Sequence, residues 1–212
     1  MQMFKAKGQF LMLLSTMITI AGFANAAYAQ RLELRSISSS GTGCPEGEVV
    51  TSISEDGQAF SIFFDNFTIE TNGEIRRGTQ VARSSCELRL QFQAPAGWQY
   101  SLMQMDFRGF GNIPKHGHGY VHTSFKNEKH GWRWLRPMIL RGPVADEYFF
   151  SRSTPVDTSV WSSCEGAPRT LRLNTTLTLI TPNRTSGLIT LNSLDGELTQ
   201  QKFRVEWRRC KS

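Results

Sequence analysis

Apolar and polar residues alternate with a period of two through most of this chain. In the run Cys86 to Gln93, Cys86, Leu88, Leu90 and Phe92 share one face, and Glu87, Arg89, Gln91 and Gln93 share the other. Leu171, Leu173, Thr175, Leu177 and Leu179 form a second such face, and Phe60, Ile62 and Phe64 a third. Near the end, Phe203, Val205 and Trp207 oppose Arg204, Glu206 and Arg208. A period of two marks strands with one side buried and one side wet, which is the pattern of antiparallel sheets. No stretch of a dozen residues carries helical periodicity.

The alternation slips once. From Trp98 to Leu102 one face holds Trp98, Tyr100 and Leu102, whereas Met103, Met105 and Phe107 come next in the opposite phase. An extra residue near Leu102 would re-aim the rest of the strand, so a β-bulge is expected there. Glu55-Asp56-Gly57, Asn72-Gly73 and Asp195-Gly196 read as tight hairpin turns, because glycine accepts the positive φ they need. Ala94-Pro95-Ala96-Gly97 breaks the chain between two strands. The expected fold is all-β, a single antiparallel β-sandwich of jelly-roll-like topology with about ten strands.

The first residues do not belong to that domain. Lys5 and Lys7 precede an apolar run from Phe10 to Phe23, and small residues lead to Ala27-Tyr28-Ala29. That is the layout of a signal peptide cleaved before Gln30, and its apolar core is too short to span a bilayer well. Residues 1–29 are expected to be removed, 30–43 to be a mobile lead-in rich in small residues, and 44–212 to be the sandwich. The mature protein would lie in an extracellular or periplasmic space, with no integral membrane segment. Removing residues 1–29 lowers the formal net charge from +6 to +4. Arg204, Arg208, Arg209 and Lys211 crowd the end of the chain. That basic end suits anionic glycans or lipid headgroups, or simply keeps the surface solvated. No lysine-arginine tract suggests nucleic acid.

In an oxidising space Cys44, Cys86, Cys164 and Cys210 can form two disulfides. Three pairings are open; Cys44–Cys86 with Cys164–Cys210 is favoured, each worth roughly 4 kcal/mol in a chain-entropy account. No C-x-x-C pair supports a zinc ribbon or a redox motif.

Several motifs occur in a telling order: Gly41-Thr-Gly-Cys-Pro45, Ser54-Glu-Asp-Gly-Gln-Ala-Phe60, Phe63-Phe-Asp-Asn-Phe67, Cys86-Glu-Leu88, Pro95-Ala-Gly-Trp-Gln-Tyr100, Asp106-Phe-Arg-Gly109, Trp161-Ser-Ser-Cys164, Leu173-Asn-Thr-Thr176 and Trp207-Arg-Arg-Cys210. With the four cysteines, they resemble the domain-of-unknown-function 4360 family of small secreted proteins of fungi and bacteria. The resemblance runs from Gly41 to Cys210. It implies export and a β-rich, disulfide-bonded domain; it implies no reaction and carries over no functional residue. The segment from Gly111 to Leu135 departs most from the family pattern.

All four histidines lie in that segment: His116, His118, His122 and His130. His116-Gly-His118 is an H-x-H pair, which chelates zinc or copper when a third ligand arrives. His122, Glu128 and Asp106 are the candidate additions. On an extended strand, however, His118 and His122 would stand roughly 13 Å apart, unless Gly117 and Gly119 let the chain bend. The plainer reading is an exposed, glycine-rich loop or edge strand that bears histidines and holds no cofactor. Trp132-Arg133-Trp134 places two indoles on one side of a strand with Arg133 opposite. Exposed, they would stack on sugar rings; buried, they are core. Trp98 and Trp207 read as core.

There is no G-x-S-x-G elbow. Carboxylates for glycoside hydrolysis would have to come from Asp65, Asp106, Asp146, Asp157 and Asp195, whose separation the sequence does not give. Asn66, Asn174 and Asn183 open N-x-S/T sequons, which matter only in a eukaryotic secretory pathway. The functional expectation is a secreted, non-catalytic binding or envelope-associated module. It would present Tyr120, Trp132, Arg133 and Trp134 to a polysaccharide, an envelope component or another protein. The alternative is a secreted hydrolase, metal-assisted through His116, His118 and His122.

Overall fold

The alternating segments become thirteen strands in the computed structural model, which describes residues 31–127, 131–153, 161–191 and 200–211. In chain order they are β1 (Glu33–Ser40), β2 (Val49–Ile53), β3 (Ala59–Phe64), β4 (Thr68–Asn72), β5 (Thr79–Gln93), β6 (Trp98–Ile113), β7 (His118–Asn127), β8 (Arg133–Trp134), β9 (Met138–Arg141), β10 (Val144–Ser153), β11 (Arg169–Pro182), β12 (Ser186–Thr190) and β13 (Gln200–Arg209). The described residues contain no helix, and none is long and apolar enough to cross a membrane. The count exceeds the expected ten because edges of both sheets are finished by short strands.

The strands form two antiparallel sheets. The first runs β1-β5-β11-β7-β8, with β9 also on β7. The second runs β2-β3-β13-β6-β12-β4, with β10 on the other edge of β6. The chain therefore changes sheets repeatedly, as a jelly-roll-like sandwich requires. Ala94 to Gly97 carries it from β5 in the first sheet to β6 in the second. The Asp56-Gly57 turn joins the paired neighbours β2 and β3. Asn72-Gly73 does not close a hairpin of that kind. It passes from β4 in one sheet to β5 in the other, although Gly73 does adopt φ 76°. Asp195-Gly196 lies outside the described residues.

The residues expected as a mobile lead-in are instead largely strand. Glu33–Ser40 pairs with β5 through seven Cα partners. An edge strand needs backbone partners more than large side chains, so a serine-rich segment qualifies; Leu34 and Ile37 pack on the core from it.

The two inner faces meet in one apolar core. Phe60 of β3 stacks on Phe203 of β13 at 4.5 Å and meets Phe92 of β5, across the sandwich, at 4.8 Å. Tyr100 bridges Phe92 and Trp207, each at 6.1 Å. The phase slip in β6 is a bulge at Met103: Leu102 pairs with Val205 and Gln104 with Arg204, so β6 has one residue too many. Tyr100 and Leu102 before the bulge, and Met105 and Phe107 after it, all reach the core. Without the extra residue half of this long strand would present its apolar side to water.

Of the three pairings open to four cysteines, the structure has Cys44–Cys86 and Cys164–Cys210, with Cα separations of 5.2 and 5.9 Å. The first ties the β1–β2 connection to β5, and the second ties the approach to β11 to the end of β13. Close packing also fixes β6 to β10. Tyr148 lies opposite Gly109 and donates its hydroxyl to the Thr190 carbonyl at 2.6 Å. A Cβ at Gly109 would stand 2.0 Å from that same carbonyl oxygen, so only glycine fits. Burial pushes the Tyr148 phenol far above its usual range.

Candidate functional site

Strand β7 sits between β11 on one side and the short β8 and β9 on the other. Its inward residues are Gly119, Val121, Thr123 and Phe125, all buried. The Thr123 and Thr175 hydroxyls share a buried hydrogen bond of 3.1 Å that locks β7 to β11. Gly119 is small because Ile113 and Ile189 side chains would lie 2.8 and 3.0 Å from its Cβ. The bend that Gly117 and Gly119 could have supplied is therefore absent from β7. The glycines serve close packing and the turn before the strand.

The outward residues of β7 are His118, Tyr120, His122, Ser124 and Lys126, about 6.6 Å apart in succession. His118 and Tyr120 stack at 6.4 Å with ring planes 18° apart. His122 meets Trp134 at 5.1 Å. Trp134 pairs with Ser124 in the ladder and so projects to the same side, where it is 67% exposed. Trp132 lies further along, beneath Lys126 at 5.1 Å and Arg172 at 5.5 Å. Together these rings form a stripe along the outer face of the first sheet. Ile139, which pairs with Tyr120, adds an exposed apolar flank.

Polar groups border the stripe. Thr178, Thr176, Asn174 and Arg172 of β11 pair in register with Tyr120, His122, Ser124 and Lys126. Beyond them on β5 come Arg83, Ser85, Glu87 and Arg89. Glu87 accepts hydrogen bonds from Arg172 at 2.5 Å and from Arg89 at 3.1 Å. Partial burial works against ionisation of Glu87, but these two guanidiniums outweigh it and hold its carboxyl below the usual range. The Ser124 hydroxyl is buried under this face and has no hydrogen-bond partner among the described residues.

The sequence candidates are thus divided. Tyr120, Trp132 and Trp134 come together on one face. Arg133 does not join them: it pairs with the inward-facing Phe125 and points to the other side of the edge strand. The arginine that does reach the stripe is Arg172, which sequence reasoning misses because its strand is some fifty residues away. His122 and His118 belong to the stripe as rings. His116 stands apart in the turn between β6 and β7, at φ 65° and exposed to solvent. Among the described residues no three His, Cys, Asp or Glu side chains converge as a metal site. Asp106 accepts hydrogen bonds from Gln104 and Ser151, each at 2.7 Å, on the outer face of the other sheet. Asp146 accepts from the Glu147 amide. Asp157, Asp195, Glu128 and His130 lie outside the described residues. Trp207 packs against the core as expected, whereas Trp98 is only half-buried and carries Arg209 over its ring.

The structure is thus a disulfide-stapled β-sandwich that carries a ringed, polar-bordered face on its first sheet. The chain belongs to the family described as domain of unknown function DUF4360, whose model matches residues 30–210. A protein of Arthroderma benhamiae described as an uncharacterized secreted protein is 26% identical over 190 residues, spanning 89% of this chain and 76% of its own. Among solved structures, a TmCBM61 complex with β-1,4-galactotriose aligns over 84% of this chain and 91% of its own, with 11% identity and a TM-score of 0.30. The enzymatically active domain of bacteriophage CBA120 tailspike protein 4 aligns over 82% of this chain and 19% of its own, also at 11% identity, with a TM-score of 0.24. At such identities and scores, neither structure bears on what this chain binds.

Proposed function

We propose that this protein acts outside the cell as a non-catalytic module that binds polysaccharide along the outer face of its first sheet. The observation that carries this reading is Trp134. A large indole left mostly in water, beside an imidazole and in line with Tyr120, costs solubility and contributes nothing to the core. Such rings gain by stacking on the apolar faces of sugars, while Thr176, Thr178 and Asn174 supply hydroxyls and an amide to sugar hydroxyls at the rim. The scaffold is rigid along β7 and β11, so binding needs little ordering. Two disulfides suit an oxidising exterior.

Affinity electrophoresis in gels cast with a panel of cell-wall and plant polysaccharides tests this. One or more of them should retard the wild-type protein. Trp134→Ala should weaken that retardation about tenfold or more, the loss of roughly 1.4 kcal/mol or more of stacking. Equal retardation of the variant would remove this face as the site.

A further inference from the structure

One row of the ringed face carries like charges that the sheet does not call for. Lys126 of β7 pairs with Arg172 of β11, and Arg172 pairs with Arg89 of β5. Each alternates with buried neighbours (Phe125; Leu171 and Leu173; Leu88 and Leu90), so all three project to the outer side of the first sheet. Their contacts agree. Lys126 and Arg172 share the Trp132 ring, at 5.1 and 5.5 Å from its centre. Arg89 and Arg172 share Glu87: its Oε1 accepts from the Nε of each at 3.1 Å and from Arg172 Nη2 at 2.5 Å.

Like charges directly opposite on neighbouring strands are destabilising. Here three cations meet one carboxylate, and among the described residues no other carboxylate pairs with them. The row of His122, Thr176 and Ser85, four residues along each strand, holds no arginine or lysine, so the ladder does not require them. Held by Nε, both guanidiniums keep terminal N–H groups for a further acceptor. The positive surplus recurs at the other end of the rings. Arg83 pairs with Thr178 next to Tyr120, and Arg141 pairs with His118, whereas the Glu33 carboxylate on this face is taken by Arg35. From His118 to Lys126 the face extends roughly 26 Å, with rings between two charged ends. A small anion would use one end; a polymer of sugars with repeated anionic groups would use the rings and both ends.

We propose that the polysaccharide taken by the ringed face is acidic, and that Lys126, Arg172 and Arg89 receive its anionic oxygens, carried as uronate carboxylates or sulfate esters. This rests on the reading of that face as a sugar-binding surface and adds the class of sugar. Tyr120, His122 and Trp134 supply stacking, and the charged row selects the polymer.

Matched polymers test it: polygalacturonate against its fully methyl-esterified form, and dextran sulfate against dextran, in affinity gels of one fixed ionic strength. At least one acidic member should be bound about tenfold or more tightly than its neutral counterpart, and preference for the first pair marks a carboxylate, for the second a sulfate. The double variant Lys126→Gln/Arg172→Gln, shown folded by its spectrum, should lose most of that preference and its salt dependence. Arg76→Gln/Arg77→Gln removes two charges from the exposed β4–β5 connection, at the far end of β5 from Arg89, and should change the preference by less than about twofold. Equal affinity within both pairs, a preference that survives the first double variant, or an equal loss in the second would overturn the proposal. So would binding to phosphatidylglycerol vesicles through Lys126 and Arg172 in place of either acidic polymer, which would assign the row to a membrane surface. Trp134→Ala tests the ringed face separately, since it should weaken binding to charged and neutral members alike. If the preference fails while that loss remains, the sugar-binding reading stands without the acidic class; if Trp134→Ala binds as wild type does, the face itself is removed.

Discussion

Phe60 and Trp134 are both aromatic residues of β-strands, and they meet opposite fates. Phe60 is fully buried and touches two other rings from both sheets. Trp134 is mostly exposed and touches an imidazole, and its neighbour Trp132 on the same face lies under an ammonium group and a guanidinium. In the core, rings select rings, since what counts there is apolar area removed from water and close packing. On the outer face the rings keep polar company. The same side-chain chemistry therefore serves cohesion in one place and stands in water in the other.

The largest expected effect would come from truncating the core member of this pair. Phe60→Ala should destabilise the protein by about 3–5 kcal/mol, read as a lower urea midpoint with little change of slope. A loss below roughly 1 kcal/mol would mean that the stack of Phe60, Phe92 and Phe203 is not the centre of the fold. Trp134→Ala should instead leave the stability within about 0.5 kcal/mol of wild type, because the indole covers little apolar area. A large shift would reassign Trp134 to structure and erase the contrast. The smallest effect concerns the polar border. Because Glu87 has a depressed folded pKa, its ion pairs stabilise the protein fully above the ordinary glutamate value, about 4.3, and that benefit fades as pH falls through the lower folded value. Glu87→Gln should therefore be slightly less stable at pH 7 and show a shallower loss of stability on acidification. Wild-type and variant curves that run parallel below about pH 4 would mean that the guanidiniums do not hold this carboxylate.

Much of the fold is written in the period-two pattern. The faces of Cys86–Phe92 and Leu171–Leu179 are core faces, and the phase slip after Leu102 is a bulge at Met103. What the pattern lacks is β1. Its serines give no alternation, because an edge strand is held by backbone pairing that composition does not display. The connection at Asn72-Gly73 misleads for a related reason: a positive-φ glycine reveals that the chain turns, not which sheet it enters. The candidate site is legible in part. Spacing puts Trp132 and Trp134 together, and His118, Tyr120 and His122 together, yet alternation cannot say whether a face is covered. Arg172 and Glu87 enter only through pairing of β7, β11 and β5, which is long-range information. The H-x-H pair has the spacing of a chelate, but a turn at His116 separates it from the strand that carries His118.

The ringed face has unequal banks. On one side lies β11, fourteen residues long and bonded along both edges; on the other lie β8 and β9, of two and four residues. Substitutions at the exposed positions of the short bank, Trp134 and Ile139, would reshape the rim while sparing Leu135 and Met138, which are buried in the core. The long bank would then act as a fixed ruler against which a changed rim is set.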